Sequence, residues 1–169
     1  DLENDSTKTI LESLFKDGYD GLNAKEILTQ IHNYMVSTYR YESDVTNKWS
    51  GINETVTKQK GDCEDLTVLE ANLAKKALQL AGFQKASDQV QVFVVKSTEL
   101  EVGHTFVVYS DEKKREWVLD PTSFAKIFTE EMSLNQLMNR FSYETFVSFT
   151  DQKTIVHVEK SRLSHFETE

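Results

Sequence analysis

Lys60-Gly61-Asp62-Cys63-Glu64-Asp65-Leu66-Thr67 sets the only cysteine of the chain where a helix begins. Downstream, Leu66, Leu69, Leu73, Ala77 and Leu80 recur at threes and fours, which is one apolar face at helical period. Gly82 supplies a left-handed position after the last turn, and Phe83 the apolar residue that often follows it. Asp62 is a good N-cap, so Cys63 falls in the first turn. Backbone N–H groups lack partners there, and the helix dipole adds about half a positive charge. A thiol in that field ionises more easily, and the thiolate is the nucleophile. Taken alone, a single cysteine is more often a small buried hydrophobe. Two later segments reverse that weighting.

Those segments are Val102-Gly103-His104-Thr105-Phe106-Val107-Val108-Tyr109 and Glu116-Trp117-Val118-Leu119-Asp120-Pro121-Thr122. Both are rich in β-branched and aromatic residues and bounded by polar clusters, which predicts strands. The charged link from Ser110 to Arg115 joins them as a hairpin, without the Asn-Gly signal of the tightest turns. His104 begins one strand and Asp120 ends the other, so an antiparallel pairing brings the two side chains together. A cysteine at a helix start, facing a histidine oriented by a carboxylate, is the general nucleophile, base and orienter arrangement. Separately, His104 reads as a partly buried strand histidine and Asp120 as a turn residue. Their joint placement is what points to chemistry.

Gly61-Asp62-Cys63-Glu64-Asp65 with its helix, Gly103-His104 opening a strand, and the run from Trp117 to Thr122 together resemble the transglutaminase-like superfamily. Within it, the five-residue run is similar to that of the bacterial transglutaminase-like cysteine peptidases of the LapG-type periplasmic adhesin protease branch. The resemblance spans residues 24 to 122 and includes Ile31-His32-Asn33-Tyr34, Tyr39-Arg40-Tyr41, Trp49 and Glu54-Thr55. It departs from the LapG type at Ser50-Gly51-Ile52-Asn53-Glu54, which carries no proline. The resemblance implies a papain-like α+β core with a nucleophile-bearing helix packed on a mostly antiparallel sheet. It implies a peptidase whose substrate is a segment of a large cell-surface adhesin, a periplasmic or otherwise secreted location, and a membrane-anchored regulator. It also implies calcium, held by acidic residues of the motif, here Asp62, Glu64 and Asp65. Ser87 and Asp88 are further candidate donors to that ion.

At 169 residues the chain has the length of one domain, taken as 1–169, and can bury about two-thirds of its unfolded surface. Hydrophobic content of 38% with 28% charged residues is that of a soluble globular protein. A net charge of −9 argues against a nucleic-acid partner, which would demand a basic face. One cysteine excludes an intramolecular disulfide framework and a Cys-rich zinc site. No apolar run approaches the ~18 residues of a membrane span. The chain starts at Asp1 with no signal-like segment, and a processed secretory protein or a piece trimmed from a longer chain would look the same. Single scattered glycines make no phosphate loop, the four histidines are too far apart for a helical zinc pair, and no organic cofactor is expected.

Read in order, residues 1 to 5 are a polar end, and Ser6 caps a helix with Ile10, Leu11, Leu14 and Phe15 on one face. Asn23 and Glu26 form a capping box for a helix that buries Ile27, Leu28, Ile31, Tyr34 and Met35 and runs to about Tyr39. His32 and His157 read as surface or structural histidines. Residues 41 to 60 lack periodicity and read as a functional loop. Trp49 in that loop is either a core anchor or a wall of the cleft, the second favoured because the loop leads straight into Cys63. A strand follows the cysteine helix at 90–95. A helix from a Ser133/Gln136 capping box to Arg140 comes next, then strands at 141–149 and 154–158. Phe124 to Phe128 is ambiguous. Lys75 and Lys76 read as outward-facing, and Glu130-Glu131 as a solvated loop end.

The reading that joins these features is a cysteine hydrolase acting on a peptide or other amide. Cys63 attacks, His104 moves the proton and Asp120 orients the imidazole. The Cys63 N–H and either the Trp49 indole or the Gln59 amide bind the oxyanion. The alternatives are transglutaminase or deamidase chemistry on the same triad, or an inactive transglutaminase-like binding module of an envelope protein.

Overall fold

The computed structural model of the chain describes residues 5–46, 48–97, 103–122, 134–140, 143–150 and 154–156. The expectations for Phe124–Phe128, Glu130-Glu131, Ser133, His157 and the polar end at residues 1–4 lie outside them. Helix α1 (Asp5–Leu14) is followed by α2 (Ala24–Thr38), which Asn23 opens with both bonds of the capping box. The Asn23 side chain accepts from the Glu26 N–H at 2.9 Å, and the Glu26 carboxylate accepts from the Asn23 N–H at 2.8 Å. The predicted stripe of α2 is buried, with Tyr34 only half so. Ser6 is not the cap of α1. It lies inside the first turn, and its hydroxyl is turned to Asn53 Oδ1 at 2.8 Å.

Residues 41 to 60 are not one irregular loop. Two-residue strands β1 (Arg40–Tyr41) and β2 (Lys60–Gly61) pair in parallel, and helix α3 (Ile52–Lys58) lies between them. Gly51 precedes α3, and Gln59 ends it in the left-handed region at φ 51°. Only Thr55 of α3 is fully buried, with Ile52 and Val56 partly buried on the same face against the core, a stripe too short to announce the helix.

Helix α4 (Cys63–Leu80) is the central element, touching α1, α2 and α3 as well as the sheet. Leu66, Leu69, Leu73 and Leu78 are wholly buried along it, each contributing about 1.5–3 kcal/mol. Leu80, expected on the same face, is exposed, because Leu78 takes the buried place in the last turn. The helix stops as predicted. Gly82 takes φ 84°, the Phe83 N–H reaches Leu78 O at 2.8 Å, and the Gly82 N–H reaches Gln79 O at 3.0 Å, a complete Schellman pair. Lys75 and Lys76 are half-buried rather than outward, and Lys76 Nζ donates to the buried Thr7 hydroxyl at 3.1 Å.

A short α5 (Gln84–Ser87) leads into the strands β3 (Val90–Ser97), β4 (Gly103–Ser110) and β5 (Glu116–Leu119). After α6 (Leu134–Arg140) come β6 (Tyr143–Phe149) and β7 (Thr154–Val156). The sheet order is β5-β4-β3-β6-β7, with every neighbouring pair antiparallel. Alternation along β4 sends Val107 and Tyr109 into the core shared with α1, α2 and α4. It sends Phe106 and Val108 to the other face, under Leu134 and Met138 of α6. The fold is thus the expected α+β arrangement of helices on a mostly antiparallel sheet.

Candidate active site

Each residue of the Gly61–Asp65 run has a local task. Asp62 is the N-cap of α4, its Oδ1 accepting from the Glu64 N–H at 3.0 Å and the Asp65 N–H at 3.1 Å. The Asp62 carbonyl takes the Leu66 N–H, so the cap leaves the Cys63 N–H uncommitted. A Cβ on Gly61 would lie 2.7 Å from Asp65 Cβ, which excludes any larger residue without a shift of backbone. Asp65 is buried and accepts the Ser50 N–H at 2.6 Å, tying the preceding loop to the helix start. The Glu64 carboxylate takes a hydrogen bond from Trp49.

Cys63, half-buried at the first position of α4, is hydrogen-bonded to the His104 side chain. His104 stands near the start of β4, and its Nε2–H donates to Asp120 Oδ2 at 2.6 Å, which leaves Nδ1 for Cys63. The β4–β5 register explains the meeting. Val107 pairs with Leu119, so Asp120 follows on opposite Phe106, beside the start of β4. The Asp120 carboxylate is itself held, its Oδ1 accepting from the Thr122 N–H at 3.0 Å and the Thr122 hydroxyl at 2.7 Å.

The charges follow from these contacts. Burial works against a charged His104, but the bonds and charges of Asp120 and Cys63 outweigh it and raise the imidazole to about 9. Burial would push Asp120 up, and His104 and Thr122 more than offset it, so its carboxyl sits below the ordinary carboxylate value. Glu64 is pushed up, first by burial and then by the neighbouring Asp62 and Asp65 charges.

Of the expected cleft residues, Trp49 is partly exposed beside Phe149, ring centroids 6.5 Å apart, and its hydrogen bond is directed to Glu64. Gln59 is exposed at the end of α3, its carbonyl accepting from the Arg40 N–H. Ser87 and Asp88 follow the far end of the 18-residue α4, ~27 Å along its axis from Cys63. They are therefore remote from the acidic run. Among the described residues, no three His, Cys, Asp or Glu side chains group as a metal shell.

Sequence reading missed two features. Of the two readings of His32 the structural one holds, and the partner is what was missed: its Nδ1 lies 2.7 Å from Glu70 Oε1, both side chains buried. Burial lowers the His32 pKa, but Glu70, and beyond it Asp120, bring the net shift upward. The signal was an acidic residue between Leu69 and Leu73 on a buried helix. The second feature is Thr67, wholly buried, whose hydroxyl donates to the Thr105 carbonyl at 2.9 Å. It lies four residues after Cys63.

Comparison with protein-family models gives no match, and comparison with curated proteins gives none either. The structure is similar in fold to LapG. The likeness is to solved structures of LapG from Legionella pneumophila. One matches with a TM-score of 0.66 at 17% identity, covering 96% of this chain and 85% of that one. A calcium-bound structure gives 0.65 at 17% identity over 89% and 77%, and an EGTA-treated structure 0.67 at 17% identity over 94% and 81%. At that identity the likeness is one of fold.

Asp120→Asn removes the charge that holds the His104 proton while leaving an acceptor. The His104 ring, titrating at about 9 in the native chain, is expected to move down toward the ordinary ~6.5. NMR titration of the histidine ring protons checks this. An unchanged His104 titration in the variant would show that Asp120 does not set its charge.

Proposed function

We propose that this chain is a cysteine hydrolase that cleaves an amide bond in a protein or peptide. The observation that carries the reading is the linked Cys63, His104 and Asp120, with the sulfur at a helix start. Cys63 Sγ attacks the carbonyl carbon, its proton having passed to His104 Nδ1. The C–N bond breaks, the amine leaves with the proton from His104, and a thioester remains on Cys63. Water then gives a proton to His104 and adds to the thioester, releasing the acid and restoring the thiol. Asp120 holds the ring in the tautomer that presents Nδ1 and stabilises its cationic form. The Cys63 N–H, left over by the Asp62 cap, is the oxyanion donor that this helix start offers.

The substrate class we favour is a segment of a large secreted adhesin, and the site of action the periplasm or another secreted location. Support comes from the resemblance of the motif and from the likeness in fold to LapG. A membrane-anchored regulator would come with that reading. No helix among the described residues is long and apolar enough to cross a membrane.

Calcium belongs to the same proposal. The donor set at the helix start is all oxygen, which suits a hard cation, and Glu64 stands where negative charge is in surplus. Asp65 is turned to Ser50, so Asp62 and Glu64 are the residues that would hold the ion, with backbone oxygens and water completing its shell. Bound there, it would neutralise carboxylates beside the nucleophile.

Cleavage of secreted proteins, mapped by sequencing the new N-termini, is expected with the native chain and absent with Cys63→Ala or His104→Ala. The double variant should be no worse than either single one, since the two act as a unit. New termini persisting with Cys63→Ala would end the covalent mechanism. Incorporation of an added amine into glutamine substrates in place of cleavage would move the reading to transglutaminase chemistry. For calcium, we expect the melting temperature to rise on addition to EGTA-treated protein, by several degrees at saturating ion, and not to rise in Glu64→Gln. A native chain indifferent to calcium leaves the carboxylates as helix-start chemistry alone.

A further inference from the structure

Three other threonine hydroxyls placed along helices of this chain, those of Thr29, Thr55 and Thr57, show what Thr67 does not do. Thr29 donates to the Lys25 carbonyl at 2.8 Å, Thr57 to Asn53 at 2.8 Å and Thr55 to Gly51 at 3.4 Å, each four residues back. That is the ordinary habit of threonine in a helix. The equivalent acceptor for Thr67 would be the Cys63 carbonyl. Its hydroxyl instead crosses to β4 and donates to the carbonyl of Thr105 at 2.9 Å, with both residues buried.

The two ends of that bond are adjacent to the chemistry. Thr67 is one turn along α4 from Cys63, on the same side of the helix, and Thr105 is the next residue after His104. Around it the α4–sheet contact is built from Leu66, Leu69, Leu73 and Val107, whose packing has no direction of its own. Apolar side chains tolerate a small slide of a helix over a sheet. A hydrogen bond to a fixed strand carbonyl does not.

We propose that Thr67 is a positioning residue, whose bond to the Thr105 carbonyl fixes the nucleophile helix on the base-bearing strand and so sets the approach of Cys63 to His104. The proposal rests on the hydrolase reading for its kinetic consequence, but not for its geometric one. A misplacement of about 1 Å between reacting groups can cost on the order of a hundredfold in rate. Thr67 touches no reacting atom. It acts through the placement of α4.

The test compares Thr67→Val, which keeps shape and loses the hydroxyl, with Thr67→Ser, which keeps the hydroxyl. Two readouts are taken: kcat and KM on a cleaved peptide, and the second-order rate of Cys63 alkylation by iodoacetamide at neutral pH. Thr67→Val is expected to lower kcat and the alkylation rate about tenfold or more with KM nearly unchanged, and Thr67→Ser to return both to within about threefold of native. Alkylation slowed in Thr67→Val and restored in Thr67→Ser, with no peptide cut by any form, supports the positioning role and removes the hydrolase reading. Native rates in a folded Thr67→Val overturn the proposal. So does a Thr67→Ser as slow as Thr67→Val, since the hydroxyl would then not restore the placement of Cys63.

Discussion

The contact between the start of α4 and the start of β4 is the constraint on which the rest of the structure depends. A helix end carries unpaired N–H groups, and here the Asp62 side chain satisfies two of them without covering the first. Cys63 therefore sits beside an uncommitted donor, at the positive end of an 18-residue dipole. None of this is useful unless a base stands opposite. β4 supplies it, because the strand begins where α4 begins and the two are packed and bonded together one turn further on. The loop before the cysteine is in turn held to the helix through Ser50 and Asp65.

Acidic and basic side chains alternate through the interior behind that contact. Glu70 faces His32, the charge of Asp120 is felt at His32, Asp120 bonds His104, and His104 bonds Cys63. Burying such groups costs desolvation free energy that only close pairing offsets. The distances of 2.6 and 2.7 Å at the two histidines are those of charge-assisted bonds. The consequence is a histidine that stays protonated well above neutrality, opposite a thiol. Burial and the like charges gathered in the acidic run beside Cys63 push Glu64 up, and that is the physical reason to look for a cation there.

How much of this could be read from the chain depends on how local each signal is. The cap at Asp62, the box at Asn23 and the stop at Gly82 are local, and each stands where its residues said. The residues of the candidate triad could be picked out because a strand start and a strand end must meet in a hairpin, whatever the turn. Helix α3 was illegible, since seven residues with one apolar pair, Ile52 and Val56, give too short a period to detect. The bonds of Ser6, Lys76, His32 and Thr67 were missed for a shared reason. Their partners lie 47, 69, 38 and 38 residues away, and a polar side chain does not announce a distant acceptor. Leu80 shows the converse. Helical period marks a face but not where the neighbouring elements stop covering it.

The central claim is that His104 activates Cys63, and it can be measured without knowing any substrate. The rate of carboxamidomethylation of Cys63, followed by intact mass at neutral pH, is compared between the native chain and His104→Ala, both shown folded by circular dichroism. The account predicts rapid labelling of the native chain and a fall of about tenfold or more in the variant. Equal rates in the two proteins, or a native thiol that stays unlabelled until the chain is unfolded, would contradict it.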